Sequence, residues 1–218
     1  MATKEIMPKK MMYRIIRRIY LIVKCLVFVW PPYLKQNLTG IRYLPYWLFT
    51  TIPIRDNVKD KIPWLPFGAI EWLDNYLKPE IKVFEWGSGG STIFIARKIL
   101  EFVSIEHNKK WHDKIKARLI SGHCKYLLKE NMNDYLQAID NYPDNYFDLV
   151  VIDGGARVKC VLRAMEKVKP KGYLLLDDTE YGHYSEATRE LKGWKETIFK
   201  GPKPYKLYFS QTSIFQKL

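Results

Sequence analysis

Four short stretches of the chain gather the residue types that do chemistry. Glu85-Trp86-Gly87-Ser88-Gly89-Gly90-Ser91-Thr92 is a glycine-rich turn, and glycines let a backbone turn sharply and approach a ligand closely. About 20 residues further on stands Glu106-His107. A carboxylate at that distance can accept bonds from both hydroxyls of a ribose, so loop and acid together fit an adenosine-type cofactor. Asp153 is the third feature and Asp177-Asp178 the fourth. Three carboxylates at neighbouring strand ends could hold Mg²⁺ through oxygen ligands. Alternatively, Asp153 orients a loop and Asp177 and Asp178 cap the helix that follows. Arg157 could pair with an anionic group of a substrate, or form a surface ion pair. His183, Tyr184 and Trp111 are candidates of the same order: substrate or adenine contacts on one reading, packing on the other.

An alternation of strands and helices must position these residues. Apolar runs predict strands over Ile81–Trp86, Phe102–Glu106, Lys125–Leu128, Phe147–Asp153 and Tyr173–Leu176, with a final pair over Thr197–Lys200 and Lys206–Phe215. Helical patterns fall at Pro66–Leu77, Thr92–Leu100, Asn108–Ile120, Val158–Val168 and Ser185–Leu191. Such alternation implies an α/β fold, a mostly parallel sheet with helices on both faces. The last two strands are joined by only a few residues, so they should form a terminal antiparallel hairpin. Ligands of such sheets bind at the carboxyl ends of the strands, where the strand order reverses. That places the glycine loop, Glu106, Asp153 and Asp178 at one edge, with adenine contacts expected near Asn131 to Asp134.

Loop and acid alone leave two cofactors open, NAD and S-adenosylmethionine. Gly87 and Gly89 match the dinucleotide fingerprint, but Thr92 stands where it needs Gly or Ala. The motif Glu85-x-Gly87-x-Gly89-x-Ser91 resembles motif I of class I methyltransferases. "PWLPFGAIEWL", "VFEWGSGGST", "VSIEHNKKW", "FDLVVIDGGARVKC" and "GYLLLDDTEYGHY" follow one another at the spacing of a small bacterial group loosely related to the FkbM-type O-methyltransferases. The resemblance covers roughly residues 63–184. It implies a Rossmann-like methyltransferase sheet and S-adenosylmethionine as cofactor, held by Glu85, Gly87, Ser88, Gly89, Gly90, Ser91, Glu106, His107 and Asp153. It further implies catalysis by Asp153 and Asp178, with Asp153, Asp177 and Asp178 as the ligands of any metal. Glu85 would face the ammonium group of the cofactor, which a carboxylate favours and a pyrophosphate would not. At Glu180-Tyr181 the chain departs from the acid-Arg pair of the group, so a substrate contact there is not carried over. The expected acceptor is a small molecule, a sugar or a glycan. An NAD-dependent oxidoreductase and a non-catalytic RNA- or membrane-binding module on the same fold are the competing readings.

The chain has 218 residues and carries 36 Lys and Arg against 23 Asp and Glu, a net charge of +13. That favours anionic partners, but no nucleic-acid recognition domain is visible. Cys25, Cys124 and Cys160 have no CxxC spacing, which excludes a zinc framework and fits a reducing, cytoplasmic setting. Residues 1–24 hold seven basic residues against Glu5 alone. On a helix over 10–28, Lys10, Arg14, Arg17, Arg18 and Lys24 gather on one side, and Ile15, Ile16, Ile19, Ile22, Val23, Leu26 and Val27 cover most of the other. The apolar run from Ile19 to Trp30 is interrupted by Lys24 and falls short of the ~20 residues a bilayer span needs. A peripheral helix on an anionic membrane is therefore expected, against the alternative of a packing helix. Residues 31–66, with six prolines and many aromatics, read as an ordered wrap over the domain, poorly suited to regular helix. The expected division is 1–62 for helix and wrap and 63–218 for the methyltransferase-like domain.

Overall fold

The computed structural model describes residues 9–51, 56–120 and 122–218. Lys4, Glu5 and the side chains of Lys9 and Lys10, which belong to the basic N-terminal pattern, lie outside the described set. Seven strands form one sheet: β1 (Lys82–Trp86), β2 (Glu101–Glu106), β3 (Cys124–Leu128), β4 (Phe147–Ile152), β5 (Val168–Asp177), β6 (Lys195–Pro202) and β7 (Phe209–Gln216), in the order β3-β2-β1-β4-β5-β7-β6. Strands β1 to β5 pair in parallel, and β7 pairs antiparallel with both β5 and β6. The Rossmann-like, mostly parallel sheet with a terminal hairpin is therefore the observed architecture.

Successive strand residues point to opposite faces, and both faces are apolar. Phe84, Trp86, Val150, Ile152, Leu174 and Leu176 fill one side, beneath Tyr135, Val161, Ala164 and Ala187. These last come from three helices, α8 (Met132–Gln137), α9 (Arg157–Lys167) and α10 (Ser185–Glu190). Val83, Leu149, Val151 and Leu175 fill the other side, against Ala69, Leu73, Ile95 and Ala96 of α5 (Phe67–Tyr76) and α6 (Gly90–Ala96). Burying one such side chain contributes roughly 1.5–3 kcal/mol, which is why these strands read as unbroken apolar runs in the sequence. Helix α7 (Lys109–Lys116) sits after β2, shorter than the predicted Asn108–Ile120.

The N-terminal segment corrects the expectation that residues 31–66 are poorly suited to helix. It is a chain of helices, the 20-residue α1 (Lys9–Phe28) and then three short ones, α2 (Trp30–Gln36), α3 (Leu44–Thr51) and α4 (Asn57–Asp60), with a 3-10 turn at Leu38–Tyr43. Pro31, Pro32 and Pro45 stand in the first turns of helices instead of breaking them. Pro31 and Pro32 occupy the first turn of α2, where no backbone donor is needed and φ is already helical. Trp30 packs edge-on against Trp47 and Phe209 at 5.6 and 5.3 Å between ring centroids. Ile22, Cys25, Trp30 and Trp47 thus share one apolar cluster with Phe67, Leu207 and Phe209.

The second correction is at the hairpin. Strand β7 starts at Phe209, not at Lys206. Residues 203–208 form a loop instead, because Pro204 lacks a backbone donor and Tyr205 adopts a left-handed φ of 67°.

Candidate functional site

Strand β1 lies between β2 and β4, so the strand order reverses there and a cleft opens at the carboxyl ends. This cleft measures about 370 Å³ and is lined by Gly87, Ser88, Glu106, His107, Asp153 and Asp178, among others. Five of the nine expected cofactor residues therefore meet on one surface. Gly87 has φ +89°, and a Cβ there would fall 2.4 Å from Gly154 Cα. The two loops after β1 and β4 touch backbone to backbone, which only glycine permits.

Glu85 does not line this cleft. It is fully buried behind the loop, where its carboxylate accepts bonds from the hydroxyls of Ser91, Thr92 and Ser104, each at 2.6 Å. Thr92 Oγ1 in turn accepts from the Gly89 amide at 2.8 Å. Burial pushes the Glu85 carboxyl up to about 7 against the three hydroxyl donors, which lower it. Glu85 and Ser91 thus shape the loop from within instead of facing an ammonium group. Gly89 and Gly90 likewise stand off the cleft lining.

Glu106 ends β2 and ties the cleft together. One oxygen accepts from the amides of His107 and Asn108 at 2.9 and 2.8 Å. The other accepts from the amide and hydroxyl of Ser88 at 3.0 and 2.9 Å. The Ser88 hydroxyl also meets Tyr126 Oη at 2.7 Å. Trp111 lines the cleft and donates from Nε1 to the Ser88 carbonyl at 2.6 Å. His107 Nδ1 is buried 3.3 Å from Glu106 Oε1, a contact that pairs the two when the ring is protonated. Asn131 to Asp134 do not reach the cleft, since Asn131 instead caps α8 by accepting from the amides of Asn133 and Asp134.

The three acids do converge. Asp153, Asp177 and Asp178 each offer an oxygen within 4.8 Å of the others. Two cations stand among them. Arg157 bridges Asp153 Oδ1 at 3.1 Å and Asp178 Oδ2 at 3.0 Å. Lys203 bridges Asp177 Oδ2 at 2.9 Å and Asp178 Oδ1 at 3.3 Å. Both cations are nearly buried, with side chains 8% and 6% exposed. Burial opposes the Lys203 charge, but Asp177, Asp153 and Asp178 more than offset it and raise its pKa.

The acids consequently do not fit a metal: the charge and lone pairs an ion would use are already taken by a guanidinium and an ammonium. Asp178 is held in its charged form. Burial works to raise its pKa, but Lys203 and Arg157 lower it below the ordinary 3.8, and both its oxygens are occupied, so it is a poor base. Asp153 differs. Burial first, and then Asp177, raise its pKa well above the ordinary 3.8, and Arg157 pairs with Oδ1 only. Arg157 itself is spent on these acids and the Gly154 carbonyl, with Tyr184 packed 4.9 Å from its guanidinium.

Sequence reasoning missed the far wall of the cleft, made of Trp64, Tyr181, Lys203, Lys206 and Tyr208. Lys206 Nζ sits 4.2 Å from the Trp64 ring centroid and 5.3 Å from that of Tyr208. It pairs with no carboxylate among the described residues. The run Lys203-Pro204-Tyr205-Lys206-Leu207-Tyr208, basic and aromatic between two strands, was the available signal.

No family model matches the sequence, and no curated protein is detectably similar to it. Solved structures are similar in fold. A precorrin 8W decarboxylase from Methanobacterium thermoautotrophicum is 15% identical and superposes with a TM-score of 0.55, over 76% of this chain and 100% of that one. A precorrin-6y C5,15-methyltransferase from Geobacter metallireducens is 14% identical with a TM-score of 0.56, over 69% of this chain and 87% of that one. A putative methyltransferase from Streptococcus mutans, in complex with S-adenosylhomocysteine, is 12% identical with a TM-score of 0.53, over 70% and 98% of the two chains. The chain has the fold of the class I methyltransferases.

Proposed function

We propose that the chain is an S-adenosylmethionine-dependent O-methyltransferase acting on a small molecule, sugar or glycan. The observation that carries this reading is the meeting of Gly87, Ser88, Glu106, His107 and Asp153 in one cleft at the switch point of the sheet. The finer likeness to the FkbM-type group belongs to the proposal and rests on the motifs alone.

The residues present fit the cofactor. Glu106 holds an exchangeable donor, the Ser88 hydroxyl, which can turn wholly to Tyr126 and leave an oxygen for the ribose hydroxyls. His107 lines the cleft beside Glu106, with its Nδ1 3.3 Å from Glu106 Oε1, and its ring offers a second contact. When bound, the cofactor supplies an electrophilic methyl carbon on a sulfonium centre, which keeps the bond pair as the methyl leaves. Asp153 Oδ2, the oxygen that Arg157 leaves free, takes the proton of the acceptor hydroxyl. A carboxylate with a raised pKa suits that task better than one of ordinary acidity. Asp178 and Arg157 position Asp153 and do not exchange protons. Trp64, Tyr181 and Tyr208 wall the acceptor side.

Lys206, clamped between two rings and without a carboxylate, favours an acceptor that carries a carboxylate or phosphate next to its hydroxyl. The test is a transfer assay with a labelled methyl donor against hydroxylated acceptors with and without an anionic group. Label appearing in anionic acceptors supports the reading. Transfer only to nitrogen acceptors, or none while S-adenosylhomocysteine binds, contradicts it.

A further inference from the structure

Helix α1 has three longitudinal surfaces. One packs on the protein: Ile22 and Cys25 are buried, and Arg18 Nε donates to the Thr51 carbonyl at 2.7 Å. The second is apolar and uncovered. Met12, Ile16, Ile19, Tyr20, Val23 and Val27 are each half exposed or more, and at one turn per 3.6 residues they fall within an arc of about 100°. The third is cationic. Arg14, Arg17 and Lys24 are exposed, and none has a carboxylate partner among the described residues. The helix itself contains no acidic residue. Beside Leu26 the apolar surface runs into a groove lined by Leu34, Leu38, Ile41 and Leu44.

We propose that this face of α1 lies flat on an anionic lipid bilayer. Each surface excludes a different alternative. An apolar arc of this size has no use on nucleic acid, whose outer surface is phosphate. A second copy of the chain would bring Arg14, Arg17 and Lys24 of two molecules together, like charge on like charge. Anionic lipid satisfies both surfaces, with acyl chains under the isoleucines and headgroups against the guanidinium and ammonium groups. No helix among the described residues is long and apolar enough to cross a membrane, so α1 lies on the bilayer. The cluster that seats α1 also contains Leu207 and Phe209. Leu207 lies within the loop that carries Lys206 and Tyr208, and Phe209 follows it, so the membrane contact is continuous with the acceptor wall of the cleft. The proposal does not depend on which reaction that cleft performs.

Flotation of the full chain with phosphatidylcholine vesicles, with and without phosphatidylglycerol, tests it. Binding is expected to the anionic vesicles and to weaken as salt rises. The variant Ile19→Glu/Val23→Glu alters only exposed side chains and should abolish flotation with an unchanged melting temperature. Arg14→Ala/Arg17→Ala/Lys24→Ala should weaken binding on the order of 100-fold. Equal binding to neutral and anionic vesicles, no binding to either, or flotation indifferent to Ile19→Glu/Val23→Glu overturns the proposal. So does a dimer in sedimentation equilibrium that Ile19→Glu/Val23→Glu dissociates.

Discussion

Replacing Glu85 by Gln should make the protein more stable at pH 8 than the natural chain, and nearly equal to it at pH 5. In the folded state burial holds this carboxyl near pH 7, against an ordinary 4.5 when unfolded. The folded state therefore binds the proton more tightly, and its stabilising contribution is complete below about 4.5 and lost as pH rises through 7. The displacement corresponds to about 3 kcal/mol, most of which is lost between pH 5 and pH 8. Gln carries no titrating charge and can keep the local bonds. Its oxygen can accept from Thr92 and Ser104 as Glu85 Oε2 does, and its amide can donate to Ser91 Oγ, whose hydroxyl reverses. Urea unfolding of both proteins at pH 5, 6, 7 and 8 reads the term as the difference between their stability curves. The gap should open by about 2–3 kcal/mol across the series. Parallel stability curves would refute a buried, high-pKa Glu85, and a variant less stable at every pH would refute the exchange of hydrogen-bond roles.

Other consequences can be measured separately. Asp153→Asn should abolish transfer while leaving cofactor affinity within a few-fold. In the natural chain kcat/KM should rise with pH through the raised Asp153 pKa, and a flat profile would remove Asp153 as base. EDTA should leave the rate unchanged, since Arg157 and Lys203 occupy the acid cluster; inhibition reversed by Mg²⁺ would contradict that. Lys206→Ala should raise KM for an anionic acceptor at least tenfold and leave a neutral analogue unaffected, as kinetics on the pair would show. Tyr135→Phe removes a buried hydroxyl that has no partner among the described residues and should stabilise the fold by about 1 kcal/mol. Gly154→Ala would place a Cβ 2.0 Å from that hydroxyl and should cost about 1–3 kcal/mol, partly recovered in the double variant by thermal melts.

The sheet was legible because its strands are buried on both faces. Runs such as Phe147–Ile152 have no other stable home, and the glycine loop follows directly from the first of them. The carboxylates at the strand ends were legible as positions, but their surroundings were not. Arg157 and Lys203 reach the same acids from α9 and from the hairpin loop, and nothing in spacing reveals that an acid cluster is already neutralised. Glu85 was misplaced for a similar reason: its neighbours in sequence point to the ligand loop, while its hydroxyl partners include Ser104 on the adjacent strand. Prolines misled between residues 31 and 66, because the same residue that breaks a helix interior begins a helix at its first turn. The cleft wall formed by Trp64, Lys206 and Tyr208 joins segments more than 130 residues apart, a closure only the hairpin topology creates.

Titration calorimetry of the full chain with S-adenosylhomocysteine, and separately with NAD, tests the central claim most directly. The account predicts single-site binding of S-adenosylhomocysteine with NAD far weaker. Ser88→Ala, which leaves Glu106 an open acceptor, should bind as well as the natural chain or better. Glu106→Ala should lose about 1.5–3 kcal/mol of affinity, the scale of hydrogen bonds to a charged group. Binding of NAD in preference to S-adenosylhomocysteine, or undiminished binding in Glu106→Ala, would contradict it.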